Sequence, residues 1–532
     1  MSLLDIQNLS LSIKDTQILR NVSLSVDPGE IVAVTGESGS GKSMTSLAVM
    51  QLLPDMADCT GTISLVGTNL LTQSEAQMCA LRGASIGMVF QEPMTALNPV
   101  KPIGDQVMET ILIHKAMPPA KARQHAQEML ERVGLPASRF PLSRYPHELS
   151  GGQRQRVVIA MAIALRPKLL IADEPTTALD VTTQAQILTL LKDLVQDYGM
   201  GLLIITHDLA VVADLADKIV VMRHGEVVET GPTQHLLQNM QHPYTRKLFA
   251  ASNHQVTLPA APAPKPLLEV KDAVRDYRLP RTTLFGKPGY FRAVKGVNFT
   301  LNQGERLGLV GESGCGKSTL TRAILGLEPL QGGEITLDSQ PVTTHQPRHL
   351  RRKMQVVFQD PFGSFNPRHR VDRLITEPFH LLDHPLKGNA RSDLIAETLT
   401  AVGLSPDDAH KYIHQFSGGQ RQRIAIARAL ITRPELILFD EAVSALDVSV
   451  RAQILDLLAE LCETYALTYL FISHDLNVVR TITDKVMVMK AGKIVEQGST
   501  ETVFSTPQHP YTQSLLAAAP KLPDLGTVAV VA

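Results

Sequence analysis

The sequence has few of the features that mark secreted, membrane-spanning or zinc-ribbon proteins. Its four cysteines are scattered and form no CxxC pair (Cys59, Cys79, Cys315 and Cys462), which argues against a disulfide framework and fits a reducing cytosol. No stretch approaches the roughly 18 uninterrupted apolar residues that a membrane helix requires. The opening MSLLDIQNLSLSIKD has no basic region followed by an apolar core, so we expect no signal peptide.

The sequence also lacks an excess of charge. Lys+Arg 51 against Asp+Glu 52 leaves a net charge of −1, and this balance gives no support to a nucleic-acid partner, which usually leaves a basic footprint. Hydrophobic residues make up 44% and charged residues 19% of the chain, a composition typical of soluble globular proteins. A length of 532 residues exceeds one ordinary core and predicts two or more domains.

A long internal repeat is present. GESGSGKS at 36–43 recurs as GESGCGKS at 311–318. Five further pairs recur in the same order: VFQEPMTALNP (89–99) and VFQDPFGSFNP (357–367), LSGGQRQR (149–156) and FSGGQRQR (416–423), IADEPTTALDV (171–181) and LFDEAVSALDV (438–448), ITHDL (205–209) and ISHDL (472–476), HPYT (242–245) and HPYT (509–512). Two such long units indicate duplicated domains rather than a solenoid of short repeats.

The repeat sets the expected domain boundaries. We predict a first domain at 1–252, an Ala/Pro-rich linker at 253–266, a second domain at 267–520 and a tail at 521–532, with C-terminal extensions at about 231–252 and 498–520. Each half alternates apolar, strand-like runs with helix-like segments. This alternation predicts an α/β fold with a mostly parallel sheet.

Both copies of GxxxxGK[ST] follow a strand-like run and precede a helix-like one, as in a phosphate loop. Glycines there let backbone N–H groups converge on a polyphosphate. Lys42 is expected to reach the terminal phosphates and Ser43 to ligate Mg²⁺. The predicted nucleotide-binding residues are Gly36, Ser38, Gly39, Gly41, Lys42 and Ser43 in the first loop and Gly311, Ser313, Gly314, Gly316, Lys317 and Ser318 in the second.

Two carboxylates end an apolar run in each half, in LLIADE and LILFDE. Such a strand would place them at the carboxyl edge of the sheet, beside the phosphate loop. Asp173 and Asp440 would then support Mg²⁺, and Glu174 and Glu441 would polarise the attacking water. A solvated strand end is the alternative when this pattern stands alone, and the neighbouring phosphate loop argues against it.

Two further polar residues recur at the same spacing in each half. His207 and His474 follow apolar runs and are expected to contact the γ-phosphate, the alternative being a satisfied histidine at a strand end. Gln91 and Gln359 follow Val-Phe, and their amides are expected to share Mg²⁺ or a water while their loops move.

With these motifs in this order, the sequence resembles the ATP-binding cassette (ABC) family over nearly its whole length. The resemblance implies two tandem P-loop NTPase domains, each with a RecA-like core, a helical subdomain and a small β-subdomain. It identifies the signature motif as Ser150, Gly151, Gly152 and Gln153 in the first half and Ser417, Gly418, Gly419 and Gln420 in the second. The other interpretation of SGGQRQR is a helix N-terminus capped by its serine, and both can hold because a helix N-terminus binds anions.

In the family, two cassettes meet head to tail, and each signature faces the nucleotide held by the other cassette. The resemblance therefore implies two composite ATP sites related by near-symmetry, both of them hydrolytic. It also implies that Tyr277 stacks on adenine and that Thr319 lies near the α-phosphate. The first half has Ile13 and Met44 at these places, so adenine stacking there is not expected.

A narrower resemblance concerns the HPYT endings and the Asn-Pro pairs after the two glutamine loops. They are similar to the oligopeptide, dipeptide and nickel importer ATPases, and in particular to the fused-cassette subgroup that includes the microcin C importer ATPase. This implies an ATPase that energises peptide import from the cytoplasmic face of the inner membrane. Its expected partners are two permease subunits and, through them, a substrate-binding protein. No iron–sulfur cluster is expected, because no cysteine lies near HPYT.

Two alternatives lie outside transport. A soluble tandem cassette acting on ribosomes would join its halves by a long, charged helical linker, whereas the linker here is short and Pro-rich. A DNA-repair cassette would need zinc modules or long coiled coils inserted within a cassette, and neither is visible in the sequence.

Overall fold

The computed structural model describes residues 2–91, 93–115, 117–177, 179–260, 262–279, 288–360, 363–444 and 446–522. The predicted tail at 521–532 therefore lies outside the described residues from 523 onward.

The first half of the chain forms ten strands and ten helices. The strands are β1 (Leu4–Ile13), β2 (Thr16–Val26), β3 (Ile31–Thr35), β4 (Ala57–Leu65), β5 (Thr68–Asn69), β6 (Ile86–Val89), β7 (Leu169–Asp173), β8 (Gly201–Ile205), β9 (Lys218–Arg223) and β10 (Glu226–Pro232). The helices are α1 (Lys42–Met50), α2 (Glu75–Leu81), α3 (Pro93–Ala96), α4 (Ile103–His114), α5 (Pro119–Arg132), α6 (Gly151–Ile163), α7 (Val181–Tyr198), α8 (Leu209–Leu215), α9 (Thr233–Gln238) and α10 (Pro243–Ser252). These counts refer to the described residues.

The second half repeats this order with one helix fewer among its described residues. Its strands are β11 (Pro266–Arg278), β12 (Tyr290–Asn302), β13 (Arg306–Val310), β14 (Gly332–Leu337), β15 (Gln340–Pro341), β16 (Met354–Val357), β17 (Leu436–Asp440), β18 (Tyr469–Ile472), β19 (Lys485–Lys490) and β20 (Lys493–Ser499). Its helices are α11 (Lys317–Ile324), α12 (Arg348–Lys353), α13 (Val371–Ile375), α14 (Gly388–Ala401), α15 (Gly418–Leu430), α16 (Val448–Tyr465), α17 (Leu476–Ile482), α18 (Thr500–Ser505) and α19 (Pro510–Ala518).

Each half contains one larger and one smaller sheet. The larger sheet of the first half has the order β10-β9-β3-β8-β7-β6, and that of the second half has β20-β19-β13-β18-β17-β16. All neighbouring strands in these sheets pair in parallel except at the β10 and β20 edges. The smaller sheets, β2-β1-β4-β5 and β12-β11-β14-β15, are antiparallel. The predicted α/β architecture is confirmed in both halves.

Strand β3 shows how the sequence forms this sheet. Its first four residues are apolar on both faces, as a strand covered from two sides requires. Ile31 and Ala33 pack into a core shared with the helices, whereas Val32 and Val34 pack into a core shared with the small sheet. Because successive side chains of a strand point to opposite faces, one five-residue run joins both cores.

A helical layer rests on one face of the sheet. Ile103, Val107 and Ile111 recur every fourth residue along α4 and are fully buried, as expected for an amphipathic helix facing a core. They share a core with α5 and with the interior face of α6. This packing fixes the start of α6, which carries the SGGQ motif of the first half.

The two halves pack against each other through their C-terminal helices. Helix α10 of the first half lies against α16 of the second, and α19 lies against α7. Val181, the first residue of α7, is buried within the core of the second half. The segment between the halves is bound to the second half, because Arg306 donates a hydrogen bond to the carbonyl of Pro259 at 2.6 Å.

None of the helices in the described part of the chain has the length and apolarity needed to cross a bilayer. All four cysteines are free thiols, of which Cys315 and Cys462 are buried.

Candidate functional site

The carboxyl ends of the parallel strands bring the predicted site residues together. Gly36 follows β3, Asp173 ends β7, His207 lies two residues after β8, and Gln91 lies two residues after β6. Since β3, β8, β7 and β6 are consecutive neighbours in one parallel sheet, these residues share one sheet edge, where open α/β sheets bind ligands.

The phosphate loops wrap around their own lysines. Lys42 Nζ donates hydrogen bonds to the carbonyls of Gly36 and Glu37, each at 2.8 Å. Lys317 Nζ makes the equivalent bonds to Gly311 at 2.6 Å and Glu312 at 3.0 Å. Burial lowers the pKa of Lys42, and the surrounding carboxylates oppose this shift.

The first glycine of each loop admits no side chain. A Cβ on Gly36 would lie 2.1 Å from the carbonyl oxygen of Met222, and one on Gly311 would lie 2.2 Å from that of Met489. The loop therefore passes directly over the neighbouring strand. Gly41 and Gly316, with φ of 97° and 113°, then turn the chain into α1 and α11. Four other loop residues that were predicted to bind the nucleotide, Ser38, Gly39, Ser313 and Gly314, are exposed. The result is a helix N-terminus with an open backbone cradle, which suits a phosphate group.

The oxygen donors expected for Mg²⁺ lie beside this cradle. Ser43 donates a hydrogen bond to Oδ1 of Asp173 at 3.2 Å. Burial raises the pKa of Asp173 to about 6 and raises that of Asp440 as well. Among the described residues no group of three or more His, Cys, Asp or Glu side chains could hold a metal by itself. A hydroxyl and one carboxylate instead fit Mg²⁺, which takes few protein ligands together with phosphate and water.

Replacing Asp173 with Asn is expected to stabilise the nucleotide-free protein at neutral pH. Because its pKa is higher in the folded state, the stability that Asp173 contributes is complete below about pH 4 and is lost as pH rises through about 6. A rise from 3.8 to about 6 corresponds to about 3 kcal/mol of unfolding free energy. Urea titrations at pH 4 to 8 without nucleotide or Mg²⁺ should show the variant's advantage growing with pH. An advantage that is constant with pH, or equal to that of the exposed control Asp193→Asn, would contradict this.

Glu174 is held by three side chains. The Nδ1 of His207 lies 3.1 Å from Oε1, and Thr177 and Gln91 each donate to Oε2 at 2.9 Å. Burial raises the pKa of Glu174, but these bonds, led by that of His207, outweigh it and lower the pKa to about 2. The carboxylate is therefore ionised at physiological pH. Its backbone has a φ of 47°, which turns the chain sharply after β7.

Glu441 is held less tightly. Burial raises its pKa and the bond from His474 outweighs this effect, but the distance from His474 Nδ1 to Oε2 is 3.5 Å. The place of Thr177 is taken by Ser444, whose hydroxyl instead donates to the backbone carbonyl of Glu441 at 2.8 Å. The two halves thus differ in how they orient the same carboxylate. Thr177 escaped the sequence analysis because nothing in its spacing distinguishes it from a loop residue.

The SGGQ motifs begin helices α6 and α15. Ser150 caps α6 by accepting from the backbone N–H of Gln153 at 3.3 Å, and Gln153 Oε1 accepts from the N–H of Ser150 at 3.0 Å. Ser417 and Gln420 repeat this capping box on α15. Among the described hydrogen bonds, the hydroxyls of both serines take part only in their own caps. Their contact with a nucleotide held by the other half remains a prediction.

The two glycines of the first motif should differ in tolerance to alanine. A Cβ on Gly152 would lie 2.2 Å from Thr183 Cγ2, whereas one on Gly151 would meet only Leu179 Cδ2 at 3.6 Å. Crowding of this kind costs about 1–3 kcal/mol, while Ala stabilises a helix by about 0.5–1 kcal/mol relative to Gly. We therefore expect Gly152→Ala to lower the melting temperature and Gly151→Ala to leave it unchanged or slightly raised, as measured by calorimetry. Equal effects of the two changes would refute the assigned packing.

Contacts between the halves reach both phosphate loops. The N–H of Ser313 donates to Asp180 Oδ2 at 3.3 Å, and Thr182 Oγ1 lies 2.9 Å from Glu312 Oε1. On the other side, Ser449 donates to Glu37 Oε1 at 2.6 Å. Each phosphate loop therefore touches the segment that follows the Asp-Glu pair of the opposite half. No role was predicted for these residues from the sequence, although the recurrence of ALDV in both halves marks the segment in which they lie.

Tyr277, which is predicted to stack on adenine, is held in place by three neighbouring side chains. Its hydroxyl donates to Glu328 at 2.6 Å and lies 3.3 Å from Thr319 Oγ1, and the guanidinium of Arg275 lies 4.7 Å from its ring centroid. The first half has only the partly buried Ile13 at this place. An aromatic platform is thus present beside one phosphate loop.

Comparison with known proteins agrees with this geometry. The family model described as "ABC transporter" matches residues 19–177 and 294–444, one match in each half. The model described as "Oligopeptide/dipeptide transporter, C-terminal region" matches residues 228–257 and 495–528. The chain belongs to the ABC transporter family, as an ATP-binding ATPase with two cassettes in one polypeptide.

Two similar proteins match nearly the full length of this chain, and a solved structure matches less than half of it. The glutathione import ATP-binding protein GsiA of Shigella sonnei is 46% identical, covering 98% of this chain and 90% of that protein. The GsiA of Salmonella typhimurium is 47% identical, covering 94% and 86% respectively. A solved structure of the dimeric ATP-binding cassette MJ0796 bound to ADP and Pi matches at 30% identity with a TM-score of 0.39, covering 43% of this chain and 98% of that one.

Proposed function

We propose that this chain is the ATP-hydrolysing subunit of an importer for glutathione or other peptide-like substrates. The observation that supports this most directly is the oligopeptide/dipeptide transporter region, which is matched at the end of both halves. It is joined by similarity over 98% of the chain to a protein named for glutathione import. The substrate class is inferred from these likenesses.

We infer that ATP is hydrolysed at two composite sites. In the first, Lys42, Ser43, Gln91, Asp173, Glu174 and His207 would act with the second-half signature Ser417, Gly418, Gly419 and Gln420. In the second, Lys317, Ser318, Gln359, Asp440, Glu441 and His474 would act with Ser150, Gly151, Gly152 and Gln153. The bonds of Glu37 to Ser449 and of Glu312 to Thr182 support this pairing, because they hold each phosphate loop against the opposite half.

Each side chain has a defined task in this scheme. Lys42 would exchange its carbonyl partners for the terminal phosphates, and Ser43 and Asp173 would hold Mg²⁺, with Gln91 sharing it or a bound water. The ion would neutralise charge that develops on the phosphates. The ionised Glu174 would orient and polarise the attacking water, while His207, already bonded to Glu174, would contact the γ-phosphate.

Closure and opening of the two halves would drive transport. ATP that binds residues from both halves favours the closed arrangement, and hydrolysis removes that preference. Separation would also break the bonds between Glu37 and Ser449 and between Glu312 and Thr182. We propose that the resulting movement is passed to two permease subunits at the cytoplasmic face of the membrane, and through them to a substrate-binding protein outside.

The surface beside each glutamine loop offers a docking place for the permeases. Phe90 and Phe358, which directly precede Gln91 and Gln359, expose 41% and 40% of their surface. In the second half a cleft extends from Gln359 to Leu381 and Arg428 of the helical layer. Exposed apolar side chains in a groove are typical of a protein interaction surface.

The test is reconstitution with the membrane proteins that co-purify from detergent extracts. The full chain and its permeases in lipid nanodiscs should hydrolyse ATP several times faster when a substrate-binding protein loaded with reduced glutathione is added. The Glu174→Gln/Glu441→Gln variant serves as control and should show no stimulation. Stimulation by ribosomes in the absence of permeases, or failure of any permease to co-purify, would overturn the proposal.

A further inference from the structure

Glu37, the second residue of the first phosphate loop, joins three parts of the molecule. Its backbone N–H donates to the hydroxyl of Tyr244 at 3.0 Å, and its carbonyl accepts from Lys42 Nζ at 2.8 Å. Its side-chain Oε1 accepts from Ser449 of the opposite half at 2.6 Å. One residue therefore contacts the C-terminal extension, the phosphate-binding lysine and the other cassette.

The second half repeats every one of these contacts. Glu312 donates its N–H to Tyr511 at 3.1 Å and accepts at its carbonyl from Lys317 at 3.0 Å. Its Oε1 lies 2.9 Å from the hydroxyl of Thr182 in the first half. The donor has changed from serine to threonine while the hydroxyl contact is kept. Two different side chains therefore make the same hydroxyl-to-carboxylate contact.

The tyrosines are themselves held rigidly. His242 caps α10 and accepts from the N–H of Tyr244 at 3.1 Å, and Glu229 accepts from the N–H of His242 at 3.1 Å. The guanidinium of Arg223 lies 4.9 Å from the Tyr244 ring centroid. Tyr244 is 5% exposed. The HPYT motif therefore acts as a clamp that presents a tyrosine hydroxyl to the phosphate loop.

The same motif reaches the other half. Helix α10, which begins next to His242, packs against α16, and Ser449 lies in the first turn of α16. Tyr244 and Ser449 thus approach Glu37 from its own cassette and from the opposite one. Tyr511 on α19 and Thr182 on α7 approach Glu312 in the same manner.

We propose that Glu37 and Glu312 are positioning residues that couple contact between the cassettes to the placement of the phosphate-loop lysine. Tyr244 and Tyr511 hold the backbone N–H of the glutamates. Ser449 and Thr182 hold the glutamate side chains only when the opposite half is in contact. Loss of the hydroxyl contact would free the glutamate side chain and, through its carbonyl, the lysine. This inference rests on the proposed composite sites and is independent of the transported substrate.

The test measures ATP affinity at the first-half site alone. A chain that carries Lys317→Ala and Glu174→Gln is expected to bind ATP only at the Lys42 loop and not to hydrolyse it there. In this chain Tyr244→Phe, which keeps the ring and removes the hydroxyl, should weaken ATP binding about tenfold, the equivalent of one lost hydrogen bond. Ser449→Ala should do the same. Ser449→Thr should restore the parent affinity, because threonine serves this purpose at position 182.

The double variant Tyr244→Phe/Ser449→Ala distinguishes coupling from mere stability. Residues that act through one glutamate should show non-additive effects, so the double variant should bind ATP about as weakly as either single one. Thr189→Ala, on the exposed face of α7, and Tyr198→Phe are matched controls that should leave this affinity unchanged. Melting temperatures, measured in parallel, should not follow the affinities.

Additive effects, or a folded Tyr244→Phe variant with parent affinity, would overturn the inference. If Tyr244→Phe lowers the melting temperature, the test rests on Ser449→Ala and Ser449→Thr. Weaker ATP binding by the first and parent affinity of the second support the inference, and equal affinities of the two contradict it. Ser417→Ala separates this inference from the proposed sites, since its failure to weaken ATP binding would contradict the composite site itself. Weakening by Ser417→Ala without any effect of Tyr244→Phe would reject only the role of Glu37.

Discussion

Replacing both Glu174 and Glu441 with Gln should lower ATP turnover by a factor of about 10² to 10⁴ while leaving ATP binding intact. Glutamine has the shape of glutamate but cannot accept a proton from the attacking water. The ionised state of Glu174 follows from its pKa of about 2, which the bonds from His207, Thr177 and Gln91 hold down against burial. Steady-state ATPase assays and equilibrium binding of labelled ATP provide the two measurements.

The single variants test whether both sites hydrolyse ATP. Each should lower turnover to half of the parent rate or less, because each half has its own carboxylate, lysine and histidine. The same chemical change at Glu131 and Glu397, on the exposed faces of α5 and α14, controls for general effects and should leave turnover unchanged. If one of the two single variants keeps full turnover while the other abolishes it, the two sites are not equivalent.

When the lysine of one phosphate loop is removed, ATP should bind only at the other loop. Its affinity there should depend on the signature motif of the half that does not carry that loop. In a hydrolysis-deficient chain with Lys42→Ala, the remaining site is formed by Lys317 and, as proposed, by Ser150. Ser150→Ala should then weaken ATP binding at least about tenfold, since a hydrogen bond to a charged group contributes about 1.5–3 kcal/mol. Ser417→Ala should have no effect in that chain.

The reciprocal chain supplies the control. With Lys317→Ala in place of Lys42→Ala, the roles exchange, and Ser417→Ala weakens binding while Ser150→Ala does not. Both serines cap their helices in the same way, so loss of the cap affects both chains equally and cannot produce the exchange. A serine that affected the site of its own half would exclude the head-to-tail arrangement.

Much of the fold and site follows from local sequence signals. The strand–loop–helix order around Lys42 and the carboxylates at the ends of apolar runs can be read from spacing, because parallel strands bring their carboxyl ends to one edge. Because the motifs recur in the same order, the same residues can be predicted for the second half. These signals are short-range, and they describe the residues that would touch the nucleotide.

Contacts between distant segments were not predictable in this way. The bond between Glu37 and Tyr244 joins residues 207 positions apart, and that between Glu37 and Ser449 joins residues 412 apart. Each depends on where a whole helix packs and not on any local pattern. The bond between Tyr277 on β11 and Glu328 depends likewise on the pairing of β11 with β14, the strand that follows Glu328.

The short connection between α10 and β11 has a kinetic consequence. Because both cassettes belong to one polypeptide, their meeting is an intramolecular step whose rate does not depend on protein concentration, and short flexible tethers give effective concentrations of about millimolar. Each half also meets the same partner in every molecule. The two sites can therefore accumulate different residues, such as Thr177 and Ser444 beside their carboxylates, without the mixed pairings that would form between separately encoded subunits.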